Sequence, residues 1–294
     1  MAWKGLHLTN PSKLSISRNQ VAVEQDGNSI TLPLEDIAYI VIDTPQVSLT
    51  AGLISACMVA GVVIIHTDSR HTPNGVTLPF HSHFRQADVS SMQIAMSEPL
   101  KKNLWQQLIV QKIQNQAGHL QKRKLANSDT LLAMSKNVRS GDPGNVEAHA
   151  ARQYWQSLFQ NFVRDNADDV RNAALNYGYA IVRACIARSL VAHGLLPCFG
   201  VHHCSVSNPF NLADDVIEPY RPLVDKYVCD QIDGADTDHL TKELRQRISA
   251  IMMIDCKIST NTTSLLSSIE RTVTSLVSSI QNKSPKLTLP EFLE

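Results

Sequence analysis

The spacing of the apolar residues changes near residue 85, and this change constrains the fold more than any other feature of the sequence. In the short segments 14–16 and 21–23, large apolar residues recur at every second position. A period of two predicts half-buried β-strands. Beyond residue 90 the apolar positions recur every three or four residues, as in amphipathic helices. We therefore predict an α+β protein with a small β-rich domain over residues 1–85 and a larger, all-α-helical domain over residues 86–294.

Turn and capping residues divide the N-terminal domain further. Asp-Gly-Asn at 26–28 predicts a tight turn between two strands, and Pro-Asn-Gly at 73–75 predicts a second turn. Ser48 is a candidate N-cap for a helix over residues 49–60, which Gly61 would end. Buried strands are predicted for the nearly continuous apolar runs 37–42 and 62–65.

The second domain carries several helical patterns. Residues 147–162 place Ala, Tyr, Trp, Leu and Phe on one stripe, and residues 170–192 form a second strong pattern. A third stripe, from Leu265 to Ile280, lies within a predicted helix over residues 262–281. Two further helices are predicted at 211–230 and 238–256, and the tail from 284 to 294 is expected to be loosely held.

Composition excludes several classes of protein. The chain has 294 residues, 43% of them hydrophobic and 18% charged, which is typical of a globular protein rather than a disordered one. Its formal net charge is zero, so it is not a polycation built to coat nucleic acid. The longest apolar stretch, 53–65, is too short to cross a bilayer, and no secretory signal is visible. We expect a soluble, cytoplasmic protein whose six cysteines are reduced thiols.

The charges are distributed unevenly along the chain. Residues 101–190 contain 13 Lys and Arg against 6 Asp and Glu, whereas residues 211–256 contain 5 basic and 10 acidic residues. A basic helical surface beside an acidic segment suits a polyanionic substrate and a metal site. Two ordinary solvated faces are the alternative, and charge alone favours that alternative.

Glu147 is the first candidate functional residue. It falls on the core-facing stripe of its predicted helix, where a lone carboxylate is costly unless it is paired or binds a metal. The alternative is a position in the first helical turn, where the helix dipole favours a carboxylate and solvent can reach it.

The adjacent histidines His202 and His203 are the second candidate. An imidazole supplies a neutral nitrogen for a metal or a group that titrates near pH 7. With Cys198 and Cys204 on either side, the segment also raises the possibility of zinc. Its spacing matches none of the common structural zinc patterns, so zinc is the weaker alternative.

Asp215 and Glu218 are the third candidate. Three residues apart, they share one face of a helix, and two carboxylates on one face repel unless a cation or proton lies between them. Pro219 should bend the helix directly after Glu218. An acidic first turn of a helix is the structural alternative. Taken together, two carboxylates and one imidazole suit Mg²⁺ or Mn²⁺ better than zinc, and they predict metal-dependent phosphodiester chemistry.

These residues lie in segments that resemble the Cas1 family of CRISPR-associated endonucleases and integrases, in the form found in type II systems, II-C in particular. The resemblance covers essentially the whole chain. Its most specific segments are VSLTAGLISACMVAGVVIIHTD, NVEAHAARQYW, NAALNYGYAIVRA and LPCFGVHHCSVSNPFNLADDVIEPYRPLVD.

The resemblance implies a catalytic metal site made of Glu147, His203 and Glu218, with Asp215 as an accessory acidic residue. His202 is then a neighbour that shapes the pocket. The implied cofactor is Mg²⁺ or Mn²⁺. The implied reaction joins the 3′-hydroxyl ends of short foreign DNA fragments to a CRISPR repeat array, inside a prokaryotic cell.

The family also implies partners. We expect DNA (the incoming fragment and the repeat), a homodimer of this chain, and a heterohexamer in which two such dimers flank one dimer of the companion protein Cas2. The type II RNA-guided nuclease is a further candidate partner. Candidate DNA contacts are Arg152, Arg171 and Tyr177, together with the basic run Lys122, Arg123 and Lys124. A surface ion pair is the alternative for the two arginines, and a core position is the alternative for the tyrosine.

Two departures from the family pattern concern DNA contacts rather than metal ligands. Cys204 and Ser205 stand where relatives often carry basic or polar residues, and the run at 163–174 is more acidic than expected. Three other functions stay open: a metal-dependent, structure-specific repair nuclease without an integrase role, an inactive DNA-binding scaffold, and a zinc-stabilised structural protein.

Overall fold

Strands dominate the first eighty residues. The computed structural model describes residues 3–80, 83–164, 166, 168–233 and 237–293. The N-terminal strands are β1 (Lys4–Leu8), β2 (Ser12–Ser17), β3 (Gln20–Gln25), β4 (Asn28–Pro33), β5 (Ile37–Ile42), β6 (Val47–Leu49), β7 (Val63–Thr67) and β8 (Pro73–Thr77). One helix, α1 (Ala51–Ala60), lies between β6 and β7.

These strands form two four-stranded sheets, in the orders β4-β3-β2-β6 and β1-β5-β7-β8. The predicted turn at 26–28 joins β3 to β4, with Asp26 and Gly27 both at positive φ, as a tight hairpin turn requires. Leu14, Ile40 and Leu53 belong to a buried apolar cluster shared by both sheets and α1. Alternating side chains therefore produce the first core, as the sequence predicts.

Two predictions for this region are corrected. Pro73 to Gly75 form no turn but lie in β8, which pairs with β7 through Gly75 opposite His66. The N-cap of α1 is Thr50 rather than Ser48, because the Thr50 hydroxyl accepts the backbone N–H of Leu53. The predicted end of α1 is confirmed, with Gly61 in the left-handed conformation at φ +68°.

Helices dominate the rest of the described chain. They are α2 (Gln86–Ile94), α3 (Glu98–Lys122), α4 (Ser128–Ser135), α5 (Val146–Leu158), α6 (Val170–Ala192), α7 (Asn211–Val216), α8 (Arg221–Ile232), α9 (Lys242–Ser249) and α10 (Leu265–Gln281). Helix α6 matches its prediction because Asp169 caps its first turn through the backbone N–H of Arg171. The apolar stripe of α10 is buried as predicted, apart from the half-buried Val277.

The prediction of an all-helical second domain is wrong in one place. Residues Asp255–Ile258 and Asn261–Ser264 form the hairpin strands β9 and β10, which overlap the end of the helix predicted at 238–256 and the start of the helix predicted at 262–281. The tail is also more ordered than predicted, since Pro290–Glu291 adds to the sheet as β11 and Pro290 is buried. Strand β10 contains no apolar residue, and the alternation of buried Cys256 and Ile258 in β9 spans only four residues, so the pattern alone does not identify the hairpin.

The second N-terminal sheet packs against the helices through its other face. Tyr39, Val41 and Ile65 belong to the large apolar core formed by the helices. The Tyr39 hydroxyl donates to the backbone carbonyl of Ser249 at 2.6 Å. These contacts attach the β-rich region directly to the helical region.

Two further expectations can be compared with the structure. The six cysteines are free, with Cys198 and Cys204 exposed and the other four buried. Within the described ranges, no helix combines the length and apolar character needed to span a bilayer.

Candidate metal centre

A buried lysine joins two of the predicted site residues. Lys112 lies in the middle of α3 and is 7% exposed. Its ammonium contacts Glu147 and lies 2.5 Å from Oε2 of Glu218. Burial alone would lower the pKa of Lys112, but the charges of Glu218 and Glu147 outweigh burial and raise that pKa. The two glutamates, 71 positions apart in the sequence, therefore converge on one cation.

Glu147 is placed by the N-terminus of α5. It lies in the first turn of that helix and keeps 28% of its side chain exposed. Asp142 accepts the backbone N–H groups of Val146 and Glu147, each at 2.9 Å, and so satisfies donors that the helix itself leaves open. The structure thus supports the first-turn alternative for Glu147 over a position in the apolar core.

Glu218 is aimed inward by a break between two helices. Helix α7 ends at Val216, and Glu218 to Tyr220 form a single turn of 3₁₀ helix that contains Pro219. The Glu218 carboxylate is buried, with Arg221 Nε 2.9 Å from its Oε1. Burial would raise its pKa, but Arg221 and Lys112 together lower the pKa to about 2. Glu218 is therefore ionised near neutral pH.

His203 is oriented by Asp215. The Asp215 carboxylate is fully buried, and its Oδ1 accepts a hydrogen bond from His203 Nδ1 at 2.7 Å. Since a carboxylate can only accept, Nδ1 carries a proton, and in the neutral ring Nε2 carries the lone pair that a metal requires. This hydrogen bond raises the pKa of His203 against the effect of burial, and the charge of Glu218 contributes to the rise. The imidazole therefore feels the charge of Glu218, one of the two glutamates that contact Lys112.

The loop before His203 folds around the same carboxylate. Asp215 accepts the backbone N–H groups of Val201 at 2.6 Å and of His202 and His203 at 3.1 Å each. A Cβ atom at Gly200 would overlap the His203 carbonyl oxygen and Asp215 Oδ2. A glycine is required here because the backbone itself approaches the carboxylate.

Trp105 supports this loop from α3. Its ring stacks on His202 with 4.0 Å between ring centroids and 3° between planes. The same indole meets His203 edge-on at 5.7 Å. Trp105 lies two helical turns before Lys112, so one helix supports both the histidine loop and the carboxylate pair. His202 thus packs against Trp105 beside His203.

The donor chemistry fits a hard divalent cation. In the described ranges, no three His, Cys, Asp or Glu side chains form a metal-binding cluster. Cys198 and Cys204 therefore form no such cluster with the two histidines in these ranges. Instead, the ammonium of Lys112 lies where Glu147 and Glu218 converge. Two carboxylates that stabilise one cation, beside an imidazole held by a carboxylate, are ligands that suit Mg²⁺ or Mn²⁺.

The candidate DNA contacts differ in how available they are. Arg152 is exposed on α5, and Lys122 and Lys124 are exposed at the end of α3. Arg123 is paired with Asp230 and Asp233. These pairs commit Arg123 to the protein, whereas the three exposed side chains stay candidates.

Arg171 and Tyr177 support their structural alternatives. Arg171 forms an ion pair with Asp169 at 2.6 Å and donates to the backbone carbonyls of Gln160 and Asn161. Tyr177 is 1% exposed, and its hydroxyl is hydrogen-bonded to His7 at 3.1 Å. A contact between Tyr177 and DNA is therefore excluded in this conformation, because its ring lies in the core.

Sequence reasoning missed Lys112, Asp142 and Arg221. The sequence does contain a signal for Lys112. Leu108 lies three residues after Trp105, and Lys112 lies four residues after Leu108, so all three share the buried face of α3. A lysine on an apolar stripe predicts a buried anionic partner. Asp142 gives no such signal, since it caps a helix that begins four residues later.

Comparison of the sequence with known proteins gives a consistent result. Residues 6–246 match the family model described as CRISPR associated protein Cas1. The chain is 41% identical over 297 residues to the CRISPR-associated endonuclease Cas1 of Neisseria meningitidis serogroup C (strain 8013), covering 100% of this chain and 97% of that protein. It is 24% identical to the CRISPR-associated endonuclease Cas1 2 of Pyrobaculum aerophilum, with 82% of this chain and 88% of that protein covered.

Solved structures share the fold at low sequence identity. A casposase bound to integration product gives a TM-score of 0.79 at 18% identity, over 97% of this chain and 92% of that chain. A Cas1 protein from Thermotoga maritima gives 0.72 at 14% identity, over 95% and 97%. A chain of a Cas6-RT-Cas1–Cas2 complex gives 0.76 at 19% identity, over 99% of this chain and 36% of that chain. The family model matches residues 6–246 of this chain, and the Neisseria meningitidis protein is 41% identical to this chain across its full length. This chain therefore belongs to the Cas1 family of CRISPR-associated endonucleases.

Proposed function

We propose that this chain is a metal-dependent DNA endonuclease and integrase of CRISPR adaptation, of the type II-C form. It joins the 3′-hydroxyl ends of short foreign DNA fragments to the repeat array by transesterification. One observation carries the proposal: Glu147 and Glu218 converge on a single buried cation, beside a histidine whose proton is fixed by Asp215.

Glu147, Glu218 and His203 are the metal ligands in this proposal. The two carboxylates contribute oxygen ligands, and His203 contributes Nε2. Asp215 acts through His203, because it fixes the tautomer and the direction of the ring. When bound, Mg²⁺ or Mn²⁺ polarises the scissile phosphate and stabilises the leaving oxygen.

The protein contributes positioning and charge rather than covalent chemistry. The 3′-oxygen of the fragment attacks a phosphorus atom of the repeat, and a new P–O bond forms as the bond to the repeat's own 3′-oxygen breaks. The attacking hydroxyl loses its proton to solvent, and the leaving oxygen takes a proton from solvent. Because one P–O bond forms as another breaks, the number of phosphodiester bonds is unchanged. Water in place of the hydroxyl gives nicking instead.

Structures that share this fold support DNA and Cas2 as partners. One is described as a casposase bound to integration product, and another contains both Cas1 and Cas2. We propose that this chain acts in the cytoplasm as a homodimer, with two dimers flanking one dimer of Cas2. The exposed side chains of Arg152, Lys122 and Lys124 are candidates for contacts with the DNA backbone.

A strand-transfer assay tests the function. A labelled duplex with free 3′-hydroxyl ends is incubated with a supercoiled plasmid that carries a repeat, in Mg²⁺ or Mn²⁺, with and without Cas2. We expect covalent transfer of the label by the wild type and none by His203→Ala. Cleavage without transfer in the presence of Cas2 would favour a repair nuclease. No reaction with either metal would leave an inactive DNA-binding scaffold as the better account.

A further inference from the structure

The Lys112 ammonium occupies the point where the proposed carboxylate ligands meet. A lysine that is 7% exposed is costly to bury unless carboxylates compensate its charge, and here two do so. The pairing is local in space but distant in sequence: α3 supplies the cation, α5 supplies Glu147, and the 3₁₀ turn after α7 supplies Glu218. Any other cation that binds both carboxylates at this point must take the place of the ammonium.

The charges around this point predict that such an exchange would depend on DNA. The positive charges of Lys112 and Arg221 cancel the negative charges of Glu147 and Glu218. Asp215 adds one negative charge, so the cluster has a net charge of minus one when His203 is neutral. A divalent ion reverses the sign of the cluster and leaves an ammonium without its partners. A phosphodiester restores the balance, because it brings one negative charge to the ammonium and the ion together.

Arg221 cannot take this role as readily. It lies three residues after Glu218 on the following helix and already binds Oε1 of that carboxylate, the oxygen that Lys112 does not contact. Its guanidinium also lies over the ring of Tyr179, 4.7 Å from the ring centroid. Lys112, on a flexible four-carbon side chain, is the cation able to change partner.

We propose that Lys112 is a resident counter-cation that a divalent ion displaces from Glu147 and Glu218, and that its ammonium then pairs with a DNA phosphate. Metal binding and DNA binding therefore strengthen each other. This inference rests on the proposed metal site. By linkage, DNA tightens the binding of metal by the same factor by which metal tightens the binding of DNA.

The experiment measures Mn²⁺ binding from the electron paramagnetic resonance signal of free Mn²⁺ at constant pH. The full chain is titrated with and without a short DNA duplex whose 3′ ends are dideoxy, so that no joining occurs. The variants are Lys112→Met, Lys112→Gln, Lys112→Arg and Glu218→Gln. Lys226→Met is the matched control, because it removes an ammonium that pairs with Asp230 on α8 rather than with the site.

We expect the wild type to bind Mn²⁺ about tenfold more tightly, or better, when DNA is present. Lys112→Met should bind Mn²⁺ about tenfold more tightly than the wild type without DNA, and DNA should add little. Lys112→Arg keeps the charge and should bind Mn²⁺ no more tightly than the wild type, whereas Lys226→Met should resemble the wild type. If the methionine variant does not fold, the neutral, polar glutamine variant answers the same question.

The outcomes separate this inference from the proposed function. If wild type and Glu218→Gln bind Mn²⁺ equally, or neither binds it with DNA, the proposed metal site is wrong and the inference falls with it. If Glu218→Gln abolishes binding but Lys112→Met binds no more tightly than the wild type, the site stands and only the role of Lys112 is overturned.

Discussion

Nδ1 of His203 lies 2.7 Å from Oδ1 of Asp215, and the same carboxylate accepts three backbone N–H groups from the loop that carries the histidine. Asp215 thus fixes the proton, the ring and the backbone of His203 at once. A neutral amide cannot replace it, because one end of the amide is a donor that would face the backbone N–H groups.

Asp215→Asn should therefore weaken metal binding by about 10- to 100-fold, which is typical of the loss of a carboxylate behind a metal-binding histidine. The Mn²⁺ dissociation constant measures this directly. Asp214→Asn is the matched control, since the neighbouring Asp214 instead binds Arg183 and Asn208. Equal Mn²⁺ affinity in Asp215→Asn and the wild type would show that Asp215 does not position His203.

Gly200→Ala tests how closely the loop must approach Asp215. The added methyl group would overlap the His203 carbonyl oxygen and the Asp215 carboxylate, so the loop must move. We expect strand transfer to fall by about tenfold or more while the helical circular dichroism stays unchanged. Gly144→Ala, next to the Glu147 helix, is the control, because its Cβ would make an ordinary contact 3.6 Å from Val146. Equal transfer by both variants would contradict the account of this loop.

Another prediction concerns the pKa of Asp225, which is buried between two tyrosines. Tyr154 donates to it at 2.9 Å and Tyr179 donates to its other oxygen. Burial raises the pKa of Asp225 from 3.8 to about 6, although both hydrogen bonds oppose the rise. Because the folded state disfavours the ionised form, the group stabilises the fold below about pH 4 and loses that contribution as the pH rises through about 6.

Asp225→Asn removes this titration. The difference in unfolding free energy between the variant and the wild type should shift in favour of the variant by about 2 kcal/mol between pH 4 and pH 7. Urea denaturation of both proteins at several pH values measures that difference. A difference that does not change with pH would show that Asp225 titrates normally.

Salt dependence tests which basic residues face DNA. Affinity for a short duplex should fall steeply between 50 and 200 mM salt if the protein contacts the phosphate backbone, on the order of tenfold or more. Arg152→Ala should weaken binding and reduce the slope of the logarithmic plot by about one. Arg123→Ala should change the slope little, because Asp230 and Asp233 already bind that guanidinium. A slope that is the same in Arg152→Ala and the wild type would remove Arg152 from the DNA surface.

Local patterns predicted the elements whose signals are strong and regular. The β3–β4 hairpin follows from Asp26 and Gly27, which both adopt positive φ. Helix α6 follows from the regular apolar pattern of residues 170–192. The β9–β10 hairpin was missed because each strand has four residues and is held by pairing that a period cannot report. The tail was missed because its order comes from contacts with distant residues, such as Phe292 beside Gly118.

The candidate site divides in the same way. Glu147, His203, Asp215 and Glu218 could be chosen from the sequence because their chemistry is unusual where they stand and their segments resemble the Cas1 family. The cation between them could not, since the pairing of Lys112 with Glu147 and Glu218 exists only after three separate elements pack together. Tyr177 is the opposite case: the sequence suggests it as a DNA contact, and only the three-dimensional structure shows that it is buried against His7.

The position of a bound metal tests the central claim most directly. Crystals of the protein with a DNA duplex that has dideoxy 3′ ends, grown in Mn²⁺, would be measured at a wavelength where manganese scatters anomalously. We predict one anomalous peak bonded to carboxylate oxygens of Glu147 and Glu218 and to Nε2 of His203, at about 2.0–2.2 Å. A peak bound by other residues would contradict the account. So would the absence of a peak beside these three residues in crystals where the DNA duplex is fully occupied.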